Sequence, residues 1–130
     1  MKPALCLAAV LLLAGGSRAD DVNANDLRQI GVAYHNHFDA TMRAPAKAKD
    51  LAPYFENSKR LLNFLESGQI VFLYNVRLTQ IINTTGASKT VLAYEKNVPA
   101  KGGWVLLADA SARKMTAEEF KKAPKAGQGR

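Results

Sequence analysis

The stretch DLRQIGVAYHNHF, residues 26–38, decides the fold because its apolar residues recur at spacings of three and four. This spacing places them on one face of an amphipathic helix, and Asp26 is a suitable N-cap for that helix. We therefore predict a first helix over residues 25–42. The residues of its apolar stripe are Leu27, Ile30, Tyr34, Phe38, Thr41 and Met42.

A second helix is predicted after a connection that contains Pro45. Asp50 is a suitable N-cap for this helix, and Pro53 is tolerated in its first turn. Gly68 is expected to end the helix, because glycine readily adopts the left-handed conformation that follows many helices. The apolar stripe between these ends consists of Leu51, Tyr54, Phe55, Leu61, Leu62 and Leu65.

From Gln69 onward the pattern changes to short runs rich in β-branched and aromatic residues, which predict strands. The connections between the runs are too short for crossover helices, so neighbouring strands are expected to be antiparallel. A capping box of Thr116 and Glu119 predicts a last short helix through Phe120. The predicted strands cover residues 70–74, 76–82, 90–95, 104–107 and 111–115.

Helices followed by strands predict an α+β fold class. A long N-terminal helix and a second helix are expected to pack on an antiparallel sheet of about four to five strands. Residues 20–120 would form this single domain, and the basic segment 121–130 is predicted to be a disordered tail. The expected core includes Tyr34, Phe38, Phe55, Leu62, Phe72 and Leu92.

The first 19 residues have the order of a secretory signal peptide: Lys2, an apolar run over residues 4–14, and small residues before Asp20. Ser17 and Ala19 are the small residues that a signal peptidase requires, so cleavage is predicted after Ala19. A membrane span needs about 20 apolar residues, so the run is too short to cross a bilayer. We expect a secreted or periplasmic protein with no integral membrane segment after cleavage; an uncleaved anchor is the alternative.

Cleavage would remove the only cysteine, Cys6, and with it any disulfide or thiol chemistry. Cys6 lies at the start of the apolar run, whereas a lipid-anchored cysteine lies at its end, so we do not predict a lipoprotein. Residues after position 19 include 16 Lys and Arg and 11 Asp and Glu, a net charge of +5. This charge suits weak contact with polyanions, and it also keeps a small protein in solution.

No motif in the sequence indicates catalysis or a cofactor. His35 and His37 are the only histidines, and two residues along a helix advance about 200°, so their rings would point to nearly opposite sides. We therefore predict no metal site. The sequence has no Gly-x-Ser-x-Gly element, no glycine-rich phosphate loop and no calcium-loop pattern, so no catalytic residue is assigned.

Four segments resemble a bacterial pilin-like family of unknown function, the H-X9-DG type, which is related to the head domains of type II secretion pseudopilins. They cover residues 26–39, 50–55, 90–95 and 102–109 and touch most of the chain after the leader. The resemblance implies one long helix on an antiparallel sheet, and it does not imply an enzyme. Positions that it marks for a family motif or an interaction are His35, Asn36, Tyr94, Glu95, Trp104 and Asp109.

Two features depart from that family. Pilins keep the apolar N-terminal segment as the helix that packs filaments, whereas here the segment ends like a discarded leader. Ala110 stands where the family's Asp-Gly turn has glycine, and a tight turn with positive φ fits glycine better, so a different turn type is expected after Asp109.

The sequence thus predicts a secreted, non-catalytic, pilin-like domain that contributes to envelope or surface interactions through its sheet edge and loops. Its partner would be an unknown protein or polymer at the cell envelope. The alternative is a polyanion-binding module for nucleic acid or acidic polysaccharide, whose binding would weaken steeply with salt. A hydrolase with a site assembled from scattered residues is a third and less favoured alternative.

Overall fold

The structure is a computed structural model that describes residues 21–56 and 58–127. It confirms the α+β class: a long helix and several short ones pack on a four-stranded antiparallel sheet. The predicted signal peptide and its cleavage position lie outside the described residues. Within the described ranges, no helix is long and apolar enough to cross a membrane.

Helix α1 spans Ala24–Thr41, which confirms the predicted first helix. Its N-cap is Asn23 rather than Asp26. The Asn23 side chain accepts a hydrogen bond from the Asp26 N–H, and the Asp26 carboxylate accepts one from the Asn23 N–H, which forms a capping box. The helix ends at Met42, which adopts the left-handed conformation with φ 60°.

The predicted second helix is wrong as one continuous element. Helix α2 (Ala48–Leu51) passes into a 3₁₀ turn (Ala52–Tyr54), and helix α3 begins only at Ser58 and ends at Ser67. The chain leaves helical geometry at Phe55, whose ψ of 136° and 8% exposure show an extended residue with its ring in the core. Burial of this aromatic side chain outweighs continuation of the helix. Gly68, with φ 85°, follows α3 as predicted.

The four strands are β1 (Ile70–Phe72), β2 (Val91–Glu95), β3 (Gly103–Leu107) and β4 (Ala112–Met115). They pair in sequence order, each antiparallel to the next, and a register irregularity interrupts β2 between Val91 and Ala93. The short helix α5 (Val98–Lys101) connects β2 to β3.

The predicted strand over residues 76–82 is wrong, because helix α4 (Leu78–Thr84) occupies that segment. Val76 and Ile81 are buried while Ile82 is 55% exposed, which is a helical burial pattern rather than a strand alternation. The Val76 carbonyl accepts a hydrogen bond of 2.6 Å from the Tyr34 hydroxyl, which fixes the start of this segment against α1.

Both faces of the sheet are covered. The larger core lies between the sheet and α1, α2 and α3. Of the expected core residues, Leu62 is only partly buried and Phe38 is buried outside this cluster, while the cluster contains Tyr34, Phe55, Phe72 and Leu92. The last helix, α6 (Ala117–Lys122), begins at the predicted capping box and packs on the opposite face. The smaller core on that face consists of Val91, Val98, Val105, Leu107, Met115 and Phe120.

The segment after Phe120 differs from the predicted disordered tail. Lys121 and Lys122 belong to α6, and the following residues run beside β2. The Val91 N–H donates to the Pro124 carbonyl at 2.8 Å, and the Ala126 N–H donates to the Val91 carbonyl at 2.8 Å. These two main-chain bonds fix the segment, although its composition carries no strand pattern.

Candidate functional site

The six positions marked by the sequence do not form one site. His35 and Asn36 lie on α1 near the turn between β3 and β4, which contains Asp109. Tyr94, Glu95 and Trp104 lie near the other end of the same strands. Strands rise about 3.3 Å per residue, so Trp104 lies roughly 10 Å from Leu107, the last residue of β3 before the turn.

His35 holds α1 against the β3–β4 turn. Its Nε2 lies 2.7 Å from the Ala108 carbonyl oxygen, so this nitrogen carries a proton and donates. The ring also meets the ring of Tyr34 edge-on, with centroids 5.9 Å apart. His35 therefore has a structural role that explains its partial burial, and the neighbouring Asn36 is exposed on the helix.

Asp109 organises the turn that His35 contacts. Its Oδ1 accepts hydrogen bonds from the Ser111 N–H at 3.0 Å and from the Ser111 hydroxyl at 2.5 Å, and its own N–H donates to the Ala87 carbonyl. Ala110 adopts φ 74°, so alanine occupies the left-handed conformation for which glycine is favoured. The expectation of a turn without positive φ is therefore wrong at this residue.

The second group of positions joins β2 to β3. Glu95 Oε1 accepts a hydrogen bond of 2.7 Å from the Trp104 N–H. The Tyr94 ring packs on Phe120, with centroids 4.7 Å apart, so α6 covers it. Lys114 Nζ lies 5.4 Å from the centre of the Trp104 ring, a distance suited to a cation–π contact.

His37 lies apart from His35 and faces the other side of α1. It is 8% exposed, and its ring meets the ring of Tyr54 edge-on at 5.8 Å. Among the described residues no group of three or more His, Cys, Asp or Glu side chains is arranged to hold a metal ion.

Burial shifts the pKa of two tyrosines upward. The pKa of Tyr34 is raised well above its usual value by burial of a hydroxyl that already donates to the Val76 carbonyl. Burial, together with the negative charges of Glu66 and Asp50, raises the pKa of Tyr74 to about 12. Tyr74 packs on Phe72 with centroids 4.7 Å apart, so it is a boundary residue of the core rather than a stacking platform.

An open cleft of about 360 Å³ lies between α5 and α6. Its lining includes Phe120 and Lys125, and Lys125 Nζ lies 4.2 Å from the Phe120 ring centre. The ammonium donates to the carbonyls of Phe120, Lys121 and Ala123 at the end of α6, and burial lowers its pKa. Because its protons point at these carbonyls, Lys125 stabilises the C-terminus of the helix.

The sequence reasoning missed the ion pair between Asp26 and Arg60. Arg60 Nε and Nη2 contact the two carboxylate oxygens of Asp26 at 3.0 Å each, and Asp26 is only 4% exposed. Arg60 Nη2 also donates to the Asp21 carbonyl at 2.9 Å. The partners are 34 residues apart, and no local spacing marks such a pair.

The outer edge of β4 is the second feature that motif reasoning did not locate. The Leu107 N–H donates a hydrogen bond to the Ser111 carbonyl, and β3 and β4 stay in register from there. In an antiparallel pair every second residue directs its N–H and C=O at the neighbouring strand, so those of Arg113 and Met115 point toward β3. Ala112 and Lys114 accordingly point theirs outward. Arg113 and Lys114 are exposed, so this edge combines main-chain donors and acceptors with two positive charges.

Comparison with known proteins gives no relative: no protein-family model, no curated protein and no solved structure matches this chain.

Proposed function

We propose that this chain is exported and acts outside the cytoplasm as a free, non-catalytic, pilin-like domain that binds a protein or polymer of the cell envelope. The observation that carries the proposal is the beginning of α1. The order of the leader and the four resembling segments add support from the sequence.

Helix α1 has a defined start. Asn23 has φ −126° and ψ 173°, which is extended backbone, and its side chain caps the helix that follows. An extended N-cap residue begins α1 at that point, and the helix does not run on toward the N-terminus through Asn23. Filament-forming pilins use an apolar N-terminal helix for assembly. A domain whose helix α1 has its own N-cap is suited to work without that apolar helix.

The β4 edge is the surface that we propose for the partner. An extended segment can add to a sheet edge through main-chain hydrogen bonds, and Ala112 and Lys114 offer such groups. The exposed charges of Arg113 and Lys114 favour an acidic segment. The same charges would face each other in an edge-to-edge dimer, which disfavours a second copy of the chain as the occupant.

Export is tested by the intact mass and N-terminal sequence of the protein recovered from fractionated native cells. A chain that starts at Asp20 in the soluble fraction is the expected result. A start at Met1 or within the apolar run, in the membrane fraction, would contradict the free domain and favour a retained anchor.

The edge is tested by amide hydrogen exchange of residues 20–130 with an extended peptide of alternating Asp and Val as the probe. The amides of Ala112 and Lys114 are expected to exchange fast in the free protein and slowly when the peptide is added. Ala112→Pro removes an outward N–H and should abolish the protection, whereas Ala112→Ser keeps the N–H and should retain it.

Polyanion binding gives a different result in the same experiment. Heparin or DNA would be held by charge alone, so the logarithm of its association constant would fall linearly with the logarithm of salt concentration, and binding would survive Ala112→Pro. If the peptide protects neither edge amide and heparin binds in a salt-dependent way, a polyanion replaces the proposed partner.

A further inference from the structure

Residues 123–127, which we call the C-terminal strap, add to the sheet beside β2. Val91, the first residue of β2, lies past the end of β1, and Lys125 of the strap forms a parallel bridge with it. The Val91 N–H donates to the Pro124 carbonyl, and the Val91 carbonyl accepts from the Ala126 N–H, each at 2.8 Å. The strap thus occupies a place where an extended segment of another chain can add to the sheet in the same way.

The side chain of Lys125, the residue between these two bonds, lines the cleft between α5 and α6. Its ammonium donates to the carbonyls of Phe120, Lys121 and Ala123, and it lies 4.2 Å from the centre of the Phe120 ring. The end of a helix carries partial negative charge and the face of an aromatic ring attracts cations, so both features select a positive side chain. Three carbonyls suit the three N–H donors of an ammonium better than a planar guanidinium, so the cleft is matched to lysine rather than arginine.

The strap is held less firmly than the strand beside it. Each of its five residues is only partly buried, whereas Val91 is fully buried. Both of its main-chain bonds to the sheet go to this one residue of β2. Segments that bury few apolar atoms and depend on few main-chain bonds open locally at low cost in free energy. Opening of the strap uncovers the N–H and C=O of Val91 and the cleft at the end of α6.

We propose that this place, which we call the strap site, binds an extended lysine-bearing segment of another protein, and that the strap is its built-in competitor. The strap site consists of the main-chain groups of Val91, the Phe120 ring and the carbonyls at the end of α6. The ligand contributes a carbonyl before its lysine and an N–H after it, so the residue that follows the lysine is not proline. The strap site is separate from the β4 edge, because β2 and β4 are not neighbours in the sheet.

The competition is strong because the strap is joined directly to α6. A short link gives a tethered segment an effective concentration of about millimolar or higher. The apparent affinity for an external segment is lowered in proportion to the fraction of molecules whose strap is open. A peptide that offers the same contacts therefore binds the intact protein weakly, and a substitution that opens the strap raises its affinity.

The experiment uses the full chain of 130 residues and a fluorescent peptide with the sequence of residues 121–127, KKAPKAG. Amide hydrogen exchange of Val91 reports strap opening, because a strap carbonyl is the partner of this N–H. Ala126→Pro removes the N–H that bonds the Val91 carbonyl, whereas the matched control Ala126→Ser keeps it. Lys125→Gln removes the ammonium from the cleft, and its control Lys122→Gln removes an exposed ammonium from α6.

We expect Ala126→Pro and Lys125→Gln each to raise both the Val91 exchange rate and the affinity for the peptide by at least about tenfold. Both controls should stay close to the wild type. A peptide that carries Lys125→Gln should bind the opened variants at least about tenfold more weakly than the original peptide.

Three results would overturn the proposal. Unchanged Val91 exchange and unchanged peptide affinity in both opened variants would show that the strap is no competitor. Faster exchange with no gain in peptide affinity would show that the uncovered place binds no segment. Equal binding of the original peptide and the Lys125→Gln peptide would show that the cleft does not recognise lysine.

Discussion

Gly31 of α1 lies against Ala110 of the β3–β4 turn so closely that a methyl group on Gly31 would come within 2.7 Å of the Ala110 Cα atom. The same methyl group would lie 3.0 Å from a side-chain carbon of Leu106. Glycine at this position therefore permits the close approach of helix and turn.

Gly31→Ala is expected to destabilise the domain, although alanine is the better helix former. Overpacking costs about 1–3 kcal/mol, whereas the gain in helix propensity is about 1 kcal/mol, so the net effect should be a loss of up to roughly 2 kcal/mol. Urea denaturation measures it. Val32→Ala, at a residue 51% exposed on the same helix, is the matched control and should change the free energy of unfolding by less than about 0.5 kcal/mol.

Ala110→Gly is expected to stabilise the domain by about 0.5–1 kcal/mol. A non-glycine residue in the left-handed region costs about 1–2 kcal/mol, and part of the gain is lost because glycine makes the unfolded chain more flexible. Ala112→Gly on β4 lacks the positive φ and should lower stability instead. Thermal denaturation should show a higher melting temperature for Ala110→Gly and a lower one for Ala112→Gly. Equal losses of stability in both variants would contradict the strain at Ala110.

Arg60→Ala is expected to lower the free energy of unfolding by about 2–3 kcal/mol, because it leaves the buried Asp26 carboxylate without its charged partner. Arg60→Lys keeps the charge but loses the two-point contact, so it should fall between the wild type and the alanine variant. A double-mutant cycle with Asp26→Asn isolates the pairwise contribution. A coupling energy near zero would show that the pair adds nothing to stability.

The stability of the domain is expected to decrease as the pH rises above about 10, partly because of Tyr74. Its pKa is raised from 10.0 to about 12 in the folded state. The unfolded chain therefore loses this proton at lower pH than the folded chain, and stability falls as the pH rises from about 10 to about 12. After allowance for solvent screening the contribution is roughly 1 kcal/mol. Denaturation over this pH range should show a smaller decline for Tyr74→Phe, and an unchanged decline would contradict the shift.

Removal of residues 124–130 is expected to destabilise the domain by about 2–3 kcal/mol, because it deletes two main-chain hydrogen bonds to Val91 and the Lys125 contacts at the end of α6. A chain that ends at Gly127 keeps all of these and is the matched control. Equal stability of the two truncated chains would show that the segment contributes nothing.

The parts of the fold with a strong local pattern were predictable. Helix α1 and the Thr116–Glu119 capping box were predicted correctly because their signals lie within a few residues. The predicted apolar stripe of α1 is wrong at its end, where Thr41 and Met42 are exposed. Residues 76–82 were misread because Val76, Leu78 and Ile81 fit both a helix and a strand when burial is unknown. The segment after Lys122 carried no signal, since main-chain bonds to Val91 rather than side-chain patterns hold it.

The candidate surfaces were predictable only in part. Glu95 and Trp104 were singled out from the sequence, yet their contact depends on a hairpin whose geometry the residues alone do not give. His35 was singled out as a family-motif position. In the structure its ring makes a hydrogen bond with the Ala108 carbonyl, 73 residues away in the sequence. The Asp26–Arg60 pair joins two helices at a distance that no spacing rule covers.

Among the described elements, helix α1 is synthesised first, whereas two strands on which it packs, β3 and β4, are synthesised late. It lies on β3 and β4, and its bond from His35 to Ala108 spans more than half of the chain. Until that part of the chain arrives, the apolar stripe of α1 has no sheet to cover. We therefore expect chaperones to bind the apolar face of the helix during synthesis or translocation. Pairing of β3 with β4 would then be the step that releases the domain from these chaperones.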